Sequence, residues 1–89
     1  MATKPKRPYL LRALYQWAVD SDLTPYVLID AEVPGVAVPS EYVEDGKIVL
    51  NLSPAAVRNL VMDDEAVACD SRFGGRPFAL YLPMASLRA

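Results

Sequence analysis

The sequence AVACDSRFGGRPFALYLP, residues 66–83, decides the fold. Two largely apolar runs flank Gly74-Gly75, and a glycine pair is typical of the tight turn of a β-hairpin, because glycine adopts positive φ without steric cost. After the turn, residues 78–82 alternate so that their large apolar side chains share one face. We therefore predict two antiparallel strands, over residues 66–73 and 78–82.

Further strands are predicted upstream of this hairpin. Residues 26–30 form an apolar run that contains β-branched side chains, which favours a buried strand. Asp45-Gly46 is a turn signal, and in residues 47–52 the apolar side chains that follow it share one face. We interpret residues 36–38 as a short, irregular strand. Short strands at this spacing indicate a small barrel or sandwich.

The N-terminal segment predicts an amphipathic helix over residues 8–20. Pro8 suits the first turn of a helix, and apolar residues recur after it at helical spacing. The apolar arc divides into two stripes, one formed by Leu10, Leu14 and Trp17 and the neighbouring one by Leu11, Tyr15 and Ala18. We predict that the second stripe forms a homodimer interface, because one small core cannot easily use both stripes.

Length and composition indicate one globular domain. The 89 residues support one hydrophobic core, and 53% of them are hydrophobic and 22% charged. We predict a basic arm over residues 1–7 and a single domain over residues 8–89. The net charge of −2 argues against nucleic acid as the main partner, because phosphate backbones are bound by clustered Lys and Arg.

The residue types present exclude most catalytic interpretations. The sequence has no histidine, so Ser/His and Cys/His nucleophile pairs and histidine metal sites are ruled out. The single cysteine, Cys69, is interpreted as a small core residue of a strand; exposure beside a cation would instead make it reactive. We predict no enzyme activity, no cofactor and no metal. The absence of a disulfide partner and of a long apolar run favours the cytoplasm, without a membrane span.

Two local patterns have both a chemical and a structural interpretation. The acidic run 63–65 is better explained as a solvated loop than as a cation site, because it lacks the series of oxygen ligands that calcium requires. The glycine pair 74–75 lacks the strand-loop-helix context of a phosphate-binding loop. Arg72 and Arg76 on either side of it are either donors to a ligand's carboxylates or amides, or a solvated hairpin end.

Several multi-residue blocks, in register along the whole chain, carry a family resemblance. They are KRPYLLRA at 6–13, LTPY at 23–26, PGV at 34–36, EYV at 41–43, DGKIVLNL at 45–52, NL at 59–60, RFGG at 72–75 and LPM at 82–84. Over essentially all 89 residues, the sequence resembles the stringent starvation protein B (SspB) family.

The resemblance implies an adaptor for regulated proteolysis. Such adaptors bind the ssrA tag on polypeptides from stalled ribosomes and deliver them to the ClpXP protease, without cleaving anything themselves. The resemblance also implies an α+β, mostly β fold, in which a dimerising N-terminal helix precedes a small Sm-like or SH3-like β-barrel, here residues 25–83. Family members carry an acidic, proline-rich tail that docks on the ClpX unfoldase. Because the sequence stops at residue 89, we expect a shortened chain that lacks this tail and a final strand.

The resemblance further points to a tag-binding groove beside the barrel. Its candidate residues are Ala55, Ala56, Val57, Asn59, Arg72 and Phe73. Small side chains let an extended peptide approach closely, while an aromatic ring and an arginine supply contact area and polar anchoring. Two other classes of function compete, since small barrels of this type also bind RNA or serve as oligomerisation modules.

Overall fold

The computed structural model describes residues 3–88, so Met1 and Ala2 of the predicted arm and Ala89 of the predicted domain lie outside it. The helix and strands are, in chain order, α1 (Arg7–Asp20), β1 (Tyr26–Asp30), β2 (Lys47–Asn51), β3 (Val57–Met62), β4 (Ala66–Phe73) and β5 (Arg76–Pro83). Two short 3₁₀ turns, Ser40–Tyr42 and Met84–Ser86, complete the described secondary structure. The α+β class is confirmed, and helix α1 begins one residue earlier than predicted.

The five strands form two antiparallel sheets, one of β1-β2 and one of β3-β4-β5. A closed barrel was predicted, and within residues 3–88 the strands do not form one. Single-residue bridges tie strands to connecting segments rather than sheet to sheet: Ala37 pairs with Tyr81 of β5, and Leu87 pairs with Ile29 of β1. The bridge does not extend beyond residue 38, because Pro39, the next residue in phase with Ala37, has no N–H to donate.

The predicted hairpin is confirmed. Strand β4 spans the predicted residues, β5 is longer than predicted by two residues at the start and one at the end, and Phe73 pairs with Arg76 across the turn. Gly74 and Gly75 have φ values of 57° and 80°. Positive φ at both central residues is the geometry of a type I′ turn, whose twist matches that of the flanking strands.

Strand β3 has no clear signal in the sequence, since residues 57–62 do not alternate cleanly. The structure shows why: the pairing of β3 with β4 shifts between Arg58 and Val61, and Asn59 there has φ of 56°. A bulge of this kind adds a residue to one strand and breaks the two-residue period on which strand prediction depends.

The core lies between the sheets and helix α1. Its most deeply buried side chains are Ile29, Leu52, Val67 and Leu82. Cys69 is 4% exposed and belongs to this core, as predicted, and burial raises the pKa of its thiol to about 11. Because the thiolate is the nucleophilic form, Cys69 stays protonated and unreactive at neutral pH.

The acidic run 63–65 forms the predicted loop between β3 and β4. The Asp63 carboxylate accepts hydrogen bonds from the backbone N–H groups of Glu65 and Ala66, both at 2.9 Å, and these bonds lower its pKa. Asp64 pairs with Arg12 at 3.6 Å and with Lys4 of the basic arm at 3.9 Å. Part of the arm's positive charge is therefore neutralised by the chain itself.

Among residues 3–88, no cluster of His, Cys, Asp or Glu side chains could hold a metal ion. No helix in this part of the chain is both long enough and apolar enough to cross a membrane.

Candidate functional site

A groove of about 820 Å³ lies between the two sheets. One wall is formed by residues 49–51 of β2 together with Tyr26, and the other by β3, β4 and β5. The small residues of the turn between β2 and β3 lie along the groove as well. The site is thus created where two sheets that do not pair with each other leave a channel.

Four of the six residues predicted for peptide binding line this groove, namely Ala55, Ala56, Arg72 and Phe73. The other two do not. Val57 is only 4% exposed and packs in the core, and the exposed Asn59 donates a hydrogen bond from Nδ2 to Asp70 at 2.9 Å. Asn59 therefore does not line the groove itself but orients the carboxylate of Asp70, which does.

Hydrogen bonds of the backbone hold the small residues in place. The Ser53 carbonyl accepts bonds from the N–H groups of Ala56 (2.9 Å) and Val57 (3.1 Å), and the side chain of Asn51 accepts a bond from the Ser53 N–H. These bonds close a tight turn directly after β2. The turn presents Ala55 and Ala56 at the groove with no long side chain between them and a ligand.

Two guanidinium groups give the groove a positive character. Arg58 donates to the carbonyls of Pro54 and Val57, and Arg72 donates to the carbonyl of Gly75. Within the described residues, neither guanidinium forms an ion pair. Since a guanidinium has five donors, both retain donors for a carboxylate of a ligand.

An aromatic cluster supports Phe73 at one end of the groove. Its ring lies 5.3 Å from that of Tyr42 and 6.2 Å from that of Phe78, the second contact being edge to face. Distances and angles of this kind are favourable for aromatic pairs. Phe73 is therefore held as a fixed apolar surface next to Arg72.

Sequence reasoning missed the wall that β2 contributes. Val49 lies on this wall and is 61% exposed, and Asn51 follows it two residues later. The alternation of residues 47–52 places Val49 on the face opposite the core. No sequence signal shows, however, that the outer edge of β2 faces an open channel, since that depends on where the other sheet lies.

The residues predicted for the dimer interface lie against the core of the chain and do not line the groove between the sheets. Leu11 and Tyr15 pack against the chain's own core, and Ala18 is buried. Solvent reaches the neighbouring stripe instead, where Leu10, Leu14 and Trp17 are each about 60% exposed. A second, mostly apolar groove of about 350 Å³ runs between α1 and the start of β1, and residues of both stripes line it.

Comparison with known proteins gives a consistent result. The family model of stringent starvation protein B matches residues 5–89. The stringent starvation protein B homolog of Haemophilus influenzae is 51% identical over 87 residues, which cover 98% of this chain. The chain spans 58% of the length of that relative.

Proposed function

The chain belongs to the stringent starvation protein B family, and on that premise we propose that it is the substrate-binding part of a proteolysis adaptor. It binds the ssrA tag of polypeptides from stalled ribosomes, and the whole protein delivers them to the ClpXP protease. The observation that carries the proposal is the groove between the sheets, which brings together Ala55, Ala56, Arg72 and Phe73.

The groove suits an extended peptide on physical grounds. The small side chains of Ala55 and Ala56 permit close approach of a backbone, while Phe73 offers a fixed apolar surface. Arg58 and Arg72 hold unused donors for an acidic or amide side chain. The groove needs neither a metal nor a nucleophile, because recognition of a tag breaks no bond.

We assign capture and delivery to different segments. The groove holds the tag, and the acidic tail of the family docks on the ClpX unfoldase. Tethering through a flexible tail raises the effective concentration to about the millimolar range, so a weak docking contact is sufficient. The adaptor then works in the cytoplasm, where ribosomes release tagged polypeptides.

We also propose that the protein is a homodimer through α1. In this proposal the interface is formed by Leu10, Leu14 and Trp17 rather than by the predicted stripe. This stripe is apolar and exposed, whereas Leu11, Tyr15 and Ala18 are used by the chain's own core. An isologous pair of helices buries the same stripe on both copies. It also leaves both tag grooves open, because no residue of this stripe lines them.

A titration with three fluorescent ligands tests the function: the ssrA tag peptide, the same residues in scrambled order, and a short single-stranded RNA. We expect saturable binding of the tag, at least about tenfold weaker binding of the scrambled peptide, and RNA binding no stronger than that of the scrambled peptide. Tight RNA binding without tag binding would favour the RNA-binding alternative, and binding of none of the three would favour an oligomerisation module.

A further inference from the structure

The pairing of β1 with β2 determines which backbone groups of β2 remain available. In an antiparallel pair, residues that exchange hydrogen bonds alternate with residues that do not. Just beyond one end of the pair, the Leu52 N–H donates to the Pro25 carbonyl at 2.9 Å, and beyond the other end the Ala31 N–H donates to the Gly46 carbonyl at 2.7 Å. Even-numbered residues of β2 therefore direct their N–H and C=O groups at β1.

The odd-numbered residues of β2 direct these groups the other way. Lys47 shows this directly, because it exchanges two backbone hydrogen bonds with Glu44, at 2.9 and 3.0 Å, on the side away from β1. Val49 and Asn51 lie two and four residues after Lys47, so their N–H and C=O groups also point away from β1. Within residues 3–88 no strand pairs with this edge of β2, so four backbone groups of these two residues face outward.

Both residues lie on the wall of the tag groove. An open strand edge inside a groove is a template for another strand, since an extended peptide can pair with all four groups at once. Unpaired backbone groups at a surface that becomes buried on binding cost free energy unless the ligand supplies partners.

We infer that the groove binds its peptide by strand addition, with the peptide backbone hydrogen-bonded to Val49 and Asn51 of β2. This inference rests on the proposed function and specifies how the same site works. The occupant is an extended peptide segment that carries an acidic side chain. Arg58 and Arg72 carry two positive charges along the groove against the single carboxylate of Asp70, which already accepts a bond from Asn59.

Strand addition predicts a two-residue period in the ligand, because only every second residue of an added strand faces β2. The test replaces each backbone amide of the tag peptide in turn by an ester, which deletes one N–H donor and preserves the side chains. We expect a loss of about three- to tenfold in affinity at alternate positions and little change at the positions between them.

A protein variant gives an independent measurement. Val49→Pro removes an outward N–H without removing any bond to β1, and the ring lies where the added strand would come. We expect at least about tenfold weaker binding of the tag peptide. The matched control is Val49→Ala, which keeps the N–H, so any loss shared by both variants belongs to the side chain.

The outcomes separate the inference from the function. Alternating losses in the ester series support strand addition, even if Val49→Pro fails to fold. If the tag binds and every ester peptide binds equally well, strand addition is wrong and the proposed function stands. If the tag binds no better than its scrambled version, the proposed function fails, and the inference fails with it.

Discussion

The hydroxyl group of Tyr15 on α1 donates a hydrogen bond to the backbone carbonyl of Leu52 at 2.9 Å. This carbonyl follows β2 and lies opposite Pro25, which has no N–H to offer it, although the Leu52 N–H bonds to the Pro25 carbonyl. The tyrosine supplies the donor that the proline lacks. One contact thus joins the helix to the sheet and directs the stripe that contains Tyr15 toward the core.

Tyr15→Phe should destabilise the fold. The ring still packs, but the Leu52 carbonyl loses its partner, which costs about 1–3 kcal/mol in the free energy of unfolding. Chemical denaturation measures the change. Tyr9→Phe is the matched control, because Tyr9 is 46% exposed and keeps its ring over the Arg12 guanidinium. Equal stability of both variants would show that the hydrogen bond contributes nothing.

Arg72→Gln should weaken binding of the ssrA peptide. A hydrogen bond to a charged group contributes roughly 1.5–3 kcal/mol, which corresponds to about tenfold or more in the dissociation constant. Arg76→Gln is the control at the other end of the same hairpin, since Arg76 does not line the groove. Fluorescence anisotropy measures both. Wild-type affinity of a folded Arg72→Gln protein would remove this residue from the proposed site.

Ala56→Val should reduce tag affinity by adding bulk where the peptide backbone approaches. Ala56 is half-buried in a tight turn, so two further methyl groups project into the groove rather than being absorbed by the turn. We expect about a tenfold loss, by the same titration. Circular dichroism controls for folding, and a folded variant with unchanged affinity would contradict close approach at this point.

Leu14→Glu should convert the proposed dimer into monomers. Leu14 is 61% exposed in the centre of the outer stripe, so a buried, unpaired carboxylate would oppose association without disturbing the core. Sedimentation velocity reports the change. The control is Gln16→Glu, which adds the same charge at an exposed position on a different face of the helix. Dimers that persist in Leu14→Glu would place the interface elsewhere.

The stability of the fold should fall as pH rises from about 9 to about 11. Burial, and secondarily Asp70, raises the pKa of Cys69 from 9.0 to about 11, so in this range the folded state retains a proton that the unfolded state has released. This contribution is fully present below pH 9. Urea denaturation at several pH values should show a shallower decline for Cys69→Ala; an identical slope would mean that Cys69 does not cause the decline.

A polypeptide made of these 89 residues alone should bind tagged substrate without accelerating its degradation. The division of labour proposed above assigns delivery to the family's tail, and without tethering the avidity gain of about 10²–10⁴ is lost. The assay follows ClpXP degradation of a tagged fluorescent protein with this chain, with the chain bearing a family-like acidic tail, and with neither. Acceleration by the 89-residue chain alone would locate delivery in the domain itself.

Local periodicity in the sequence was enough to predict the elements whose pattern is uninterrupted. Strands β1 and β4 span their predicted residues, helix α1 differs by one residue, and the glycine pair forms the predicted turn. The burial of Cys69 also follows from its strand position. Strand β3 could not be predicted in this way, because the bulge at Asn59 interrupts its alternation.

Some features of the candidate site could likewise be predicted from the sequence, and others could not. The family resemblance pointed to Ala56 and Arg72, which the structure brings to one groove from different parts of the chain. Tertiary structure alone decided the rest. Both stripes of α1 are apolar, and only the tertiary structure shows that the stripe with Tyr15 faces inward, where its hydroxyl group meets the Leu52 carbonyl that Pro25 leaves open. The free edge of β2 at Val49 likewise depends on the distance between two sheets, and no local pattern encodes a long-range distance.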